Sequence, residues 1–177
     1  MKSAVALTGA ALALTTSPAA HRTVAACGGL GTLSDPQRNL VRLLPKTTTI
    51  AAINGLRRPR PTPTTRETGF QRHVWRIRAQ IVEYRLSRSG DVDLVLYDGE
   101  RSYLAAAMPH QQCLSARTRA RAAIVGARAF FEGLCGPARK SWRALGAVAF
   151  VDGVGYWGAR HAELRPVTRV RLIAGCA

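Results

Sequence analysis

Acidic residues are scarce: 10 Asp and Glu stand against 26 Lys and Arg in 177 residues, a formal net charge of +16. A chain so short of carboxylates attracts polyanions such as nucleic acid, a cell-wall polymer or an anionic lipid surface. Codon bias in an Ala-rich, Arg-rich chain gives the same balance, so charge alone marks stickiness rather than a site. An apolar run of about 20 residues, the length a membrane-spanning helix needs, is also missing. No elbow motif surrounds Ser89, Ser102, Ser115 or Ser141, which argues against a serine hydrolase. No glycine loop cradles a phosphate: Gly153 and Gly155 lie late in a strand pattern with no helix after them. No catalytic residue, cofactor or metal site is assigned from the sequence.

What is present begins with an export signal. Met1 to Ala20 contains Lys2, the apolar run "AVALTGAALAL" and the small-residue stretch "TTSPAA", the three parts of a secretory signal. Cleavage after Ala19 places Ser17 and Ala19 at the positions that require small side chains. The protein is therefore expected to be secreted or at the cell surface, without a transmembrane segment. "VAAC" at 24–27 offers a second route, lipidation at Cys27, although His21 and Arg22 interrupt the apolar approach to it. Removing residues 1–26 takes away Lys2 and Arg22 and no acid, leaving about +14.

Four cysteines, Cys27, Cys113, Cys135 and Cys176, remain, an even number that suggests two disulfides in an exported chain. A helix between Cys113 and Cys135 would hold its ends on the order of 30 Å apart. A disulfide needs Cα atoms within about 7 Å. Two pairings stay open: Cys27–Cys113 with Cys135–Cys176, or Cys27–Cys135 with Cys113–Cys176.

Along the chain, residues 21–70 read as an N-terminal arm. It holds the amphipathic "NLVRLL", a short helix in "TTTIAAINGL" capped by Thr47 or Thr48, and the Pro-rich linker "RRPRPTPTTRE" with no core residues. From residue 71 to 177 the pattern becomes regular. Trp75, Ile77, Ala79 and Ile81 alternate with Arg76, Arg78 and Gln80, and the parity then flips to Val82, Tyr84 and Leu86. A flip of this kind marks a bulge in one bent strand. "SRSGD" turns into a second strand with Val92, Leu94 and Leu96 inward, and "SYLAAAM" is a third.

Ser115 opens a helix of about 18 residues whose apolar face runs through Ala116, Ala120, Ala123, Ile124, Ala127, Phe131 and Leu134. Strands follow at 144–157 and 163–174, the last with Val170 and Leu172 inward and Arg169 and Arg171 outward. The order β-β-β-α-β-β predicts a mainly β domain, an OB-like five-stranded barrel carrying an N-terminal arm.

The segments "CGGLGTLSDP", "TTTIAAINGLRRP", "VEYRLSRSGDVDLVLYD", "AAAMPHQQC", "GVGYW" and "ELRPV", in this order, resemble an uncharacterised family of exported bacterial proteins with a small OB-like barrel. The family pattern has Asp-x-His before the second strand's Leu-Val, a Glu before the Met/Ile-Pro, and Glu-Leu-His-Pro-Val near the end. This chain keeps Asp91 and Glu163 but has Asp93, Ala107 and Arg165 at the other three positions. The resemblance implies that any His/Glu chemistry of the family is lost here. It also favours Cys27–Cys113 with Cys135–Cys176.

Three sets of residues are candidates for function. Asp91, Asp93 and Glu163 would serve a divalent-cation-dependent nuclease or hydrolase; the plainer reading of Asp91, Asp93 and Asp98 is an ordinary turn balanced by Arg85 and Arg88. His110, Cys113 and Cys135 could ligate zinc, in competition with disulfides, while His73 and His161 stand alone. The favoured set is an anion-binding surface. Arg76, Arg78, Arg169 and Arg171 would form a basic stripe, and Tyr97, Tyr103, Tyr156 and Trp157 would offer stacking platforms. Trp157 and Tyr156 packing under the arm is the competing reading. The sequence thus points to a non-enzymatic binder of nucleic acid or cell-wall polymer, or to a structural protein with incidental basicity.

Overall fold

The computed structural model describes residues 29–176. The segment expected to be an export signal and Cys27 lie outside the described residues. The chain is mainly β, with six strands in one sheet that closes into a ring.

The longest expected alternation forms the backbone of that ring. Strand β2 (His73–Leu86) pairs in parallel with β1 (Arg42–Thr47) at its start, from His73 to Arg76, and antiparallel with β3 (Val92–Tyr97) over its second half. Its other edge runs antiparallel to β5 (Arg143–Trp157). From β3 the sheet passes to β4 (Tyr103–Met108), then in parallel to β6 (Ala162–Ala174), which returns to β5. Two helices decorate the ring: α1 (Ile50–Asn54) and, between β4 and β5, α2 (Arg121–Cys135).

The parity flip in β2 is a real bulge, because the register with both β3 and β5 slips between Ile81 and Glu83. It lets Ile81 and Tyr84 both face inward. The ring interior holds Ile77, Leu94, Leu96, Met108, Val151 and Leu164, plugged by Phe131 of α2. Tyr84 meets Phe131 edge to face at 5.0 Å and donates its hydroxyl to the Cys135 carbonyl at 2.7 Å.

Several expectations need correction. There are six strands rather than five, because "NLVRLL" runs into β1. Since β3 covers only Gln80–Leu86, the first half of β2 would otherwise keep an open edge. The α1 cap is Thr49, whose Oγ1 accepts from Ala52 N, one residue beyond the expected Thr48. Helix α2 begins at Arg121, not at Ser115. Ala120 sits in the left-handed region at φ 55°, and Arg119 ties this segment to the arm through the carbonyls of Arg38, Asn39 and Val41. Its buried face is Ile124, Ala127, Phe131 and Cys135, while Ala116, Ala123 and Leu134 are exposed.

The arm packs closely. Leu33 and Val41 join Val74, Leu114, Ile124 and Val154 in a second apolar cluster. A Cβ at Gly155 would lie 2.1 Å from the Phe70 carbonyl oxygen, so only glycine lets the arm sit this near β5. The linker at 57–67, expected to hold no core residue, contributes Arg66, which is 1% exposed. Cys135 and Cys176 form a disulfide with Cα atoms 4.6 Å apart. Pairing of Cys113 with Cys176 is thereby excluded, as is a zinc site using Cys135. Cys113 is also disulfide-bonded; its expected partner, Cys27, lies outside the described residues.

Candidate functional site

Register decides how the four expected arginines are arranged. Arg76 of β2 lies opposite Asp152 of β5, and Asp152 lies opposite Arg169 of β6. One step along, Arg78 faces Phe150, which faces Arg171. The arginines therefore flank β5 as two rungs on the outer surface. Arg171 stacks over the Phe150 ring at 4.6 Å. Arg76 holds Asp152 with two hydrogen bonds of 2.7 Å, and this ion pair raises the guanidinium pKa. Arg78 and Arg169 have no ion pair or side-chain hydrogen bond among the described residues, and both are exposed.

The aromatic candidates separate into two places. Tyr97 and Tyr103 are directly opposed across β3 and β4 and stack at 4.7 Å. Trp157 is buried; its indole N–H donates to Thr68 Oγ1 and its ring lies 5.0 Å from Phe70. That is packing under the arm. Half-buried Tyr156, opposite Glu163, lines a cavity of about 480 Å³ between the arm and the barrel, together with Asp91 and Arg165.

The carboxylates gather on the outer face of β3, β4 and β6. Asp93 is opposite Ala107, and Glu163 is opposite Ala105, so the two acids flank β4 diagonally over an alanine floor. Asp91 is buried and committed: it accepts from the His110 amide and forms an ion pair with Arg165. Asp93 pairs with Arg85 at 3.3 Å. Asp98 spends Oδ1 on the amides of Glu100, Arg101 and Ser102, closing the β3–β4 turn, and these amides lower its pKa. The three positions that depart from the resembled family pattern are neighbours. Ala107 pairs with Asp93, and Arg165 follows Leu164, the partner of Ala106. Among the described residues, no group of three His, Cys, Asp or Glu side chains is placed to hold a metal ion.

Burial pushes both Asp93 and Glu163 above the usual carboxylate range. Arg85 and Arg165 oppose the rise at Asp93, to which the Asp91 charge adds; His161 and Arg165 oppose it at Glu163, to which the Asp93 charge adds. A raised pKa means that the folded state binds the proton more tightly than the unfolded chain does. The favourable contribution is full below the ordinary carboxylate pKa of about 4 and is lost as pH rises through the raised value. Glu163→Gln is therefore expected to stabilise the protein at pH 7.5, with no gain at pH 3.5. Urea melts at the two pH values check this, and an equal gain at both would contradict it.

No protein-family model, curated protein or solved structure matches the chain. The site must be judged on its own chemistry. On that basis the exposed arginine rungs offer unspent charge, whereas the carboxylate cluster is largely internally paired. Sequence reasoning passed over the role of β5. Its nearly continuous apolar run contains Asp152 and Phe150, the residues that draw the two arginine pairs together.

Proposed function

We propose that this is an exported, non-enzymatic protein that binds an anionic polymer, nucleic acid or cell-wall material, on the outer face of β2, β5 and β6. The observation that carries the reading is the pair of rungs Arg76–Asp152–Arg169 and Arg78–Phe150–Arg171, four arginines to one carboxylate. Strands lie about 4.8 Å apart, so the backbones of Arg78 and Arg171 are separated by about 10 Å. That is a span suited to a chain of charges rather than to one compact anion. We also read the ring as OB-like. The parallel β4–β6 pair, the β2–β5 closure and a helix between β4 and β5 support this. Export is supported by the Cys135–Cys176 disulfide. The acidic face of β3 and β4 is not the surface we assign to the ligand.

The test is a salt titration of the oxidised protein against single-stranded DNA, duplex DNA and an anionic wall polymer, with and without Mg²⁺ or Ca²⁺. The variant replaces Arg78, Arg169 and Arg171 by Gln and leaves Arg76 to its partner Asp152. Affinity is expected to fall about 10- to 100-fold and the salt slope by about 2 to 3. Binding within twofold of wild type would sink the reading. Cation-dependent cleavage would instead support the hydrolase built on Asp91, Asp93 and Glu163.

A further inference from the structure

A second concentration of positive charge lies away from the arginine rungs and was not drawn together by the sequence. The β2–β3 turn, the segment at His110–Gln112, α2 and the loop before β5 enclose a cleft of about 1220 Å³. Four of its lining residues are cations, Arg85, Arg88, Arg128 and Lys140, and none is an acid.

The acids stand behind the cleft and fix two of the cations. Arg85 donates Nε to Asp93 at 3.3 Å and stacks over Trp142 at 4.3 Å; Arg128 donates Nε to Glu132 at 3.0 Å and Nη1 to the Gly90 carbonyl at 2.8 Å. Both terminal nitrogens of Arg85 and Nη2 of Arg128 are left without a partner among the described residues. Holding a guanidinium by Nε while its outer N–H groups stay unspent is a preorganised anion clamp. Arg88 and Lys140 are exposed and have no ion pair among the described residues, adding mobile charge at the rim. Gly90, at φ 85°, sets the shape: a Cβ there would lie 3.3 Å from the His110 ring.

We propose that this cleft is a distinct site for a compact phosphorylated anion of di- to triphosphate size. Guanidinium donors arriving from two separate elements suit the many oxygens of linked tetrahedral groups better than a single planar carboxylate. The cleft exceeds what one phosphate needs, since small-molecule pockets span about 300–1,000 Å³. The site is independent of the polymer face proposed above. It shares no residue with it.

The experiment is calorimetric titration of the oxidised full chain with inorganic tripolyphosphate, using citrate, a tricarboxylate of lower charge, as the carboxylate probe. Saturable 1:1 binding of tripolyphosphate is expected, at least tenfold tighter than citrate. Arg88→Gln combined with Lys140→Gln should weaken it by tenfold or more, and both positions are exposed enough to spare the fold. Arg78→Gln with Arg169→Gln should leave it unchanged while weakening DNA binding. Equal affinity for citrate, multiple weak binding events, or equal losses in the two double variants would overturn the proposal.

Discussion

Arg66→Met is expected to lower stability by about 3–5 kcal/mol, which is on the order of a 10 °C fall in Tm for a domain of this size. Arg66 is 1% exposed, among the largest fully buried side chains, and every nitrogen of its guanidinium is used. Nε and Nη2 bind Asp35, at 3.2 and 2.8 Å, Nη1 donates to the Gln71 carbonyl at 2.8 Å, and Nη2 also reaches the Leu30 carbonyl at 2.9 Å. Methionine nearly fills the space but strands the Asp35 carboxylate, 7% exposed, without its cation. It also takes the Arg66 donor from the buried Gln71 carbonyl, while the Leu30 carbonyl keeps the Leu33 amide. The cost is that of an uncompensated buried charge, not the net worth of the pair. The double variant Arg66→Met/Asp35→Asn should therefore recover part of the loss. Chemical denaturation of the three variants decides the matter, and a single-variant loss under 1 kcal/mol would show that the pair is not a structural anchor.

The same anchor bears on the site. Arg66 joins Leu30 and Asp35 at one end of the arm to Gln71 at the other, and residues 29–32 and 62–64 wall the cavity holding Asp91 and Arg165. Gly31 lies so close that a Cβ there would sit 2.9 Å from Arg165 Nε. Loosening Arg66 should open this side of the barrel while leaving the arginine rungs of β2, β5 and β6 unchanged. Polymer affinity measured well below the melting transition is expected to stay near wild type.

Local pattern carried much of the fold and less of the site. Strict alternation identifies β3 and the outward arginines of β2 and β6, and the parity change at Ile81–Glu83 locates the bulge. Alternation states which way Arg78 and Arg171 point. It does not state that Phe150 will separate them, because cross-strand register depends on the whole closed ring. Arg66 was illegible for a related reason: among threonines and prolines an arginine reads as solvated, and its partner Asp35 lies 31 residues earlier. The start of α2 was missed because Ala120 adopts φ 55° without the Gly or Asn that would announce it. The phosphate cleft draws Arg85, Arg128 and Lys140 from three elements, and no single window of sequence contains it.

Cys135→Ser/Cys176→Ser should cost about 4 kcal/mol on the chain-entropy account of a crosslink. The bond closes a separation of 41 residues that contains all of β5 and β6, the two strands that complete the ring. Without it the unfolded chain gains freedom in the segment that must return across the sheet. The folded state keeps most of its contacts, since Tyr84 still donates to the Cys135 carbonyl and Phe131 still plugs the interior. The loss should therefore come with a larger denaturant m-value, because a less constrained unfolded state exposes more surface. A loss caused by local distortion near Cys176 would leave m unchanged and would fray Leu172–Ala174 first, detectable as faster amide exchange there than in Val167–Arg171. Because Arg169 and Arg171 lie just inside that end of β6, the two outcomes separate further in function. The entropic outcome preserves polymer affinity in the folded protein, whereas fraying weakens it in step with the lost β6 pairing.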